Sequence, residues 1–242
     1  PARREPAAAR ALVEAYSPPV TEEARAEVWR QTMGQLHDPI QAAYQRAMMK
    51  YLRGAGKRIS ARAKQHLGQK GGLPTVVRAD TMDKILDVLK EAQLLKSILR
   101  KPMRDAYQKA AVNALGMLPG DWDVEATPDR VYEMADKDMN RLVKLLEKDT
   151  AAAVKKAITE GLAEGSTMGQ MQLAIENSRG FAPSRALTVA QTETTRTVTQ
   201  GTVQAYEQTV AAGHPMKMEW LSARDSHVRD VHRELDSHEP IE

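Results

Sequence analysis

Cysteine is absent from the 242 residues. That removes a disulfide scaffold, a thiolate metal site, an iron–sulfur cluster and a cysteine nucleophile. Aromatic residues are scarce at 4%, with a single Phe. β-Sandwiches and barrels lean on aromatic and β-branched side chains, so the composition disfavours an all-β fold. No apolar run approaches the roughly 18 residues of a membrane-spanning helix. No apolar signal core follows the opening Pro1-Ala2-Arg3-Arg4-Glu5. No Met leads the chain, and a piece of a longer protein is expected.

What remains is 42% apolar, rich in Ala, Leu and Met, and 28% charged. This composition favours packed helices. Residues 1–19 end in Ser17-Pro18-Pro19 and read as an arm or linker. A first helix is expected from Thr21 to about Leu36. Asp38-Pro39 then signals a new start, with Asp as N-cap and Pro in the first turn. Ile40, Tyr44, Met48, Tyr51 and Leu52 form its apolar stripe. Gly54 and Gly56 are candidate kinks, and Gly71-Gly72-Leu73-Pro74 a stop. A helical region follows from Thr81 to Leu115, with a break or kink expected near Arg100 because Pro102 lacks an N–H and crowds the preceding turn.

Thr127-Pro128 repeats the cap-then-Pro signal and opens one long helix, or two end to end, reaching Gly161 or Gly165. Ser166 or Thr167 caps a short helix through Ile175. Residues 184–212 carry eight Thr, which by propensity suit a strand. About 29 residues without a turn signal are too long for one, and Leu187, Ala190, Thr194, Val198, Gly201 and Ala205 share a helical face. Each Thr costs a helix about 0.5 kcal/mol against Ala, which packing must offset. After Gly213-His214-Pro215, residues 216–221 alternate like a short strand, with Trp220 half-buried. The expected fold is mainly α: an elongated bundle of long helices with a small C-terminal β element. It is organised as the arm 1–19, an N-terminal helical region 20–126, and a helical core 127–242 ending in a strand and polar cluster.

Charge is unevenly spread. Residues 1–70 hold thirteen Lys/Arg against six Asp/Glu, and residues 46–70 hold eight basic residues and no acidic one. Arg46, Lys50, Arg53 and Lys57 follow i, i+4, i+7, i+11 spacing and align on one helix face. Arg58, Arg62 and Lys64 extend the patch. Such a row can bind a polyanion by counterion release, or serve only as a solvated face. No aromatic is interleaved for base stacking, so nucleic-acid binding here is expected to ignore sequence.

The C-terminal segment concentrates His227, His232 and His238 with Asp225, Asp230 and Asp236. On a helix Asp225, Arg229, His232 and Asp236 share a face. His and carboxylates can bind Zn or Mn, but His227 and His232 are five apart, not the four of H-E-x-x-H. Acid–base catalysis has its ingredients but no nucleophile motif beside them. The favoured reading is a structural network in which the aspartates pair with Arg229 and His232, with no catalytic residue, cofactor or metal.

Three blocks in order carry a family likeness: Thr150 with Gly161 and Gly165; Arg185-Ala186, Ala190-Gln191-Thr192-Glu193 and Tyr206; and Trp220, Asp225, Arg229, His232, Leu235 and Asp236. Across roughly residues 40–236 the chain resembles the phage Mu F-like minor head proteins of tailed bacteriophages. Gln191 stands where that family usually carries Arg, and Ser237 where it carries Gly. The resemblance adds Arg185, Glu193 and Trp220 to the structural network. It implies a non-enzymatic virion component in the head interior near the portal, present in the host cytoplasm during assembly. It would act in head morphogenesis and in DNA packaging or delivery. Expected partners are the portal protein, major capsid or scaffolding protein, and packaged DNA, with no membrane. Alternative readings are a metal-dependent hydrolase using the C-terminal His/Asp cluster and the delivery domain of a phage-derived toxin.

Overall fold

A computed structural model describes residues 27, 30–68, 73–116 and 128–214. The arm 1–19, the turn at 118–120, the strand at 216–221 and the polar cluster at 220–236 lie outside the described residues. Within them the fold is helical, and no strand occurs among the described residues. A π-helical stretch, Thr32–His37, leads into α1, Asp38–Leu67. Then come α2, Ala79–Leu86; α3, Val88–Gly116; α4, Pro128–Ala163; α5, Met168–Glu176; a 3-10 turn, Arg179–Phe181; and α6, Pro183–Ala211.

Several local signals act as expected. Thr167 caps α5 through a capping box, its hydroxyl accepting from the Gln170 amide while the Gln170 side chain accepts from the Thr167 amide at 2.7 Å. α4 is closed just beyond Ala163 by Gly165, whose φ of +67° suits glycine. There the Ser166 amide donates back to the Gly161 carbonyl at 2.8 Å. The threonine-rich segment is helix α6. Thr188, Thr192, Thr195 and Thr209 each donate to a carbonyl four residues back, at 2.9–3.2 Å. These bonds satisfy the hydroxyls within the helix.

Other signals act differently. Asp38 begins α1 but does not cap it, because the backbone before it is already helical and His37 has φ −64° and ψ −52°. The π stretch closes with the Asp38 amide donating to the Met33 carbonyl, five residues back. α1 runs unbroken through Gly54 and Gly56 and closes at Gly68, before the Gly71-Gly72 signal. The expected break at Pro102 is absent: α3 passes through it, held on both sides by the buried Leu95, Leu99, Met103 and Ala106. The chain breaks instead at Asp87, with φ +44° and ψ +55°. Burial of Met82, Ile85 and Leu86 turns α2 away from the α3 axis.

Contacts give the topology. α1 runs antiparallel to α6, as Gly56 faces Phe181 and Tyr44 faces Thr197. α4 runs antiparallel to α3 and to α6, by the pairs Arg104–Asp136, Asp138–Arg196 and Arg185–Thr150. α3 and α6 therefore run parallel, and theirs is the most extensive helix contact. α1 and α4 flank this pair. α2, α5 and the 3-10 turn pack on the C-terminal half of α1. A single hydrophobic core runs from Leu36 to Ala205 and draws on every helix.

The α3–α6 approach is close because Gly201 has no side chain. A Cβ there would lie 2.6 Å from the Ala110 Cβ and 3.1 Å from the Tyr107 carbonyl oxygen. Gly201→Ala is therefore expected to destabilise the fold by about 2 kcal/mol, a fall of roughly 4–8 °C in Tm. Ala110→Gly in the same chain should restore part of the loss, and thermal melts of the single and double variants measure it.

Candidate functional site

Two constellations hold the unpaired and the paired charge. The first is the outer face of α1. Arg46, Lys50, Arg53, Lys57 and Lys64 are exposed there, opposite the face that buries Tyr44, Met48, Leu52 and Ile59. No acidic residue occurs between Asp38 and Asp80. Arg58 and Arg62 lie to one side of this ridge and turn inward. The buried Glu91 accepts from Arg58 Nε at 3.0 Å and Nη2 at 2.6 Å, and from Arg62 Nη2 at 3.0 Å. Arg62 also donates to the carbonyls of Ile85 and Leu86 at 2.7 and 3.0 Å. Burial works against the Glu91 carboxylate, but the two guanidinium groups outweigh it and hold its pKa below the usual range. Five of the seven patch cations thus remain on the exposed ridge.

The second constellation is a polar ladder between α3, α4 and α6. Asp138 is buried. It accepts from the Tyr107 hydroxyl and from Arg196 Nε at 2.9 Å, and it faces Arg141 Nε at 3.5 Å. The network orients the Gln200 amide so that its nitrogen donates to Tyr107 Oη at 2.6 Å and Asp138 at 2.7 Å, while its oxygen accepts from Arg196 at 3.2 Å. Arg141 Nη2 donates to the buried Glu193 at 2.5 Å. Tyr44 shares a 2.9 Å hydrogen bond with Thr197. Burial opposes ionisation of Asp138, yet Arg196, Tyr107 and Arg141 together lower its pKa. Burial first, then Asp138, raises that of Tyr107.

Farther along the α4–α6 seam, Arg185 donates to Thr150 Oγ1 at 3.1 Å, to the carbonyls of Gly180 (2.7 Å) and Leu146 (3.4 Å), and to Asp149 at 3.3 Å. Burial lowers its pKa.

Of the expected network, Arg185 and Glu193 fall within the described residues, and both sit in this seam. Each has its own partner there. Trp220, Asp225, Arg229, His232 and Asp236 lie outside the described residues. Glu193 takes its cation from Arg141 on another helix, so Gln191 at its neighbouring position leaves no carboxylate unpaired. Sequence reasoning missed Glu91, Tyr107, Asp138, Arg141, Arg196 and Gln200. A signal existed for two acids. Asp138 continues the core row Val131, Ala135, Leu142, and Glu193 continues Ala186, Ala190, Thr197. An acid in such a row demands a cation from a neighbouring helix.

The chemistry these groups can do is limited by how they are paired. Asp38, His37 and Thr195 stand in the order of an acid, a base and a hydroxyl, with separations of 3.6 and 3.4 Å. The Thr195 hydroxyl, however, donates to the Gln191 carbonyl at 3.2 Å, so its proton points into its own helix. The cavity beside Glu193, between Tyr44 and Met103, has a volume of about 10 Å³, at the lower limit for one water. No group of three His, Asp or Glu residues that could hold a metal occurs among the described residues. No described helix is long and apolar enough to cross a membrane.

Both lowered carboxyl groups tie stability to pH. Their unfolded values lie near 4. The stabilisation is complete above that range and is withdrawn as acid carries the pH down through the folded values. Tm is expected to fall steeply below about pH 4, and Asp138→Asn should flatten that slope. Asp138→Ala, which strands Arg196 and the Tyr107 hydroxyl, should cost about 3 kcal/mol at pH 7. Denaturant melts across pH measure both, and an unchanged acid slope in Asp138→Asn would remove this carboxylate from the account.

Residues 152–239 match the family described as Phage Mu protein F like protein. The NAD(+)–arginine ADP-ribosyltransferase EFV of Enterococcus faecalis (strain ATCC 700802 / V583) is 30% identical over 106 residues, which is 44% of this chain and 22% of that protein. The chain thus spans about a fifth of the length of this curated relative. No solved structure matches it. The matched region contains the Gly161–Gly165 helix end, Arg185 and Glu193 of the α4–α6 seam, and the residues of the C-terminal polar cluster. The likeness to the phage Mu protein F-like family thus covers residues 152–239, the C-terminal part of the chain.

Proposed function

We propose that this chain is a structural minor head protein of a tailed bacteriophage. It sits in the head interior near the portal, docks there through its helical faces, and lays the α1 ridge along packaged DNA without reading bases. The family match over residues 152–239 supports the head-morphogenesis role. The observation that carries the DNA contact is the row Arg46, Lys50, Arg53, Lys57 and Lys64. These cations are exposed on one face with no ion-pair partner among the described residues, while the buried acids Glu91, Asp138 and Glu193 are matched by guanidinium groups. Cations left free on a rigid rod suit a phosphate backbone, which they bind by displacing its counterions. Portal protein, with major capsid or scaffolding protein, supplies the docking surfaces in this reading, and no turnover of substrate is involved.

The similarity to part of a protein named as an ADP-ribosyltransferase favours a second reading. In it, the same helical body is the carrier of a toxin whose catalytic part lies elsewhere. An effector domain encoded in frame with this chain would favour the carrier, whereas portal, terminase and capsid genes beside it would favour the head protein.

If all five ridge cations meet phosphates, log K for duplex DNA should fall with log salt at a slope of about −4.5. The variant with Arg46, Lys50, Arg53 and Lys57 all changed to Ala should lose most of that slope and bind weakly at low salt, as fluorescence anisotropy reads. Equal binding by that variant would end the DNA assignment. Co-purification with portal protein tests the docking part, and absence of the chain from both immature and mature particles would end it.

A further inference from the structure

We propose that the junction at Asp87 is a conformational hinge: α2 is a latch held by Arg62 and Glu91, and its release joins residues 79–116 into one helix. Asp87 is the sole non-glycine residue with positive φ among the described residues. Helical hydrogen bonding nevertheless runs right up to it and resumes from it. Its amide donates to the Asp83 carbonyl at 2.8 Å, and its carbonyl accepts from the Glu91 amide at 3.1 Å. A continuous helix would pair the amides of Val88, Leu89 and Lys90 with the carbonyls of Lys84, Ile85 and Leu86. In the bent chain the last two of those carbonyls accept from Arg62 instead, at 2.7 and 3.0 Å. Arg62 is itself held by Glu91, which Arg58 grips in a bidentate pair. The side chain that replaces the missing helical donors is therefore fixed from the first turn of α3.

Nothing in the sequence from Ala79 to Lys101 forbids the straight form, since neither Gly nor Pro occurs there. Moving one residue, Asp87, from the left-handed to the right-handed helical region makes the conversion. Leu89 points the same way. It is 80% exposed in the bent chain, while Met82, Ile85 and Leu86 are buried. In a continuous helix these four share one face, at i, i+3, i+4 and i+7. The straight form thus presents a complete apolar stripe that the bent form divides between the core and solvent.

The chain lacks cysteine, so Asp80→Cys and Ser97→Cys, both at exposed positions, give a unique spin-label pair. In a straight helix their Cα atoms stand about 26 Å apart, and the bent chain holds them closer. Pulsed dipolar spectroscopy on the full chain should give one short distance with the hinge residues intact. Arg62→Ala with Glu91→Ala should raise the long-distance fraction at least tenfold with helicity retained by circular dichroism. Asp87→Ala, which leaves both latch side chains in place, should shift the population the same way, and Asp87→Gly should suppress the long distance. A short distance unchanged in every variant would make the junction a fixed corner and overturn the proposal. A broad distribution with loss of helicity would also overturn it, by showing that α2 melts instead of rejoining α3.

Discussion

Asp138 draws a phenol from α3 and a guanidinium from α6 while standing on the core face of α4. A carboxylate at that depth persists only if its lone pairs are filled, and the partners that fill it come from separate helices. The register of three helices is therefore coupled. Sliding α6 by one turn along α4 would strand Arg196 and Asp138 together, and would part Glu193 from Arg141. Apolar packing alone tolerates such slips, since Ala and Leu stripes look alike one turn on. The ladder gives an Ala-rich bundle a single alignment, at the desolvation cost that all buried ion pairs carry.

The ladder in turn depends on how near the parallel pair α3 and α6 can approach. Gly201 against Tyr107, Ala110 and Ala111 lets the two backbones close, and that closeness places the Tyr107 hydroxyl beside Gln200. Small residues on α6 thus do two things: they admit α3, and they set the reach of the polar side chains above them. α1 and α4 then cover the sides of the pair, and Arg185 ties the start of α6 to the Leu146–Thr150 stretch of α4 and to the 3-10 turn.

This economy of pairing separates the surface from the interior. Acids that enter the core are matched there by arginines, which withdraws Arg58 and Arg62 from the basic patch of α1. The cations left outside are those on the far side of the helix from the core, in a row that the rod geometry keeps straight. A rigid row of unpaired charge is suited to a uniform polyanion, and the paired interior is suited to holding shape.

The sequence by itself determined the helical class, the start and cap of α5, the glycine end of α4, the helical nature of the threonine-rich segment, and the ridge on α1. These are local properties, set by periodicity and by the chemistry of three to five neighbouring residues. Cross-helix partnership was decided only by the tertiary structure: Arg141 for Glu193, Arg196 for Asp138, and Glu91 for Arg58 and Arg62. So was the place where the second helical region breaks. Proline is a local penalty that flanking burial can outweigh at Pro102, whereas the turn at Asp87 exists because Met82, Ile85 and Leu86 find a core on α1 and Arg62 reaches the carbonyls they leave. Such choices rest on which distant residues meet, and spacing along one chain carries no record of that.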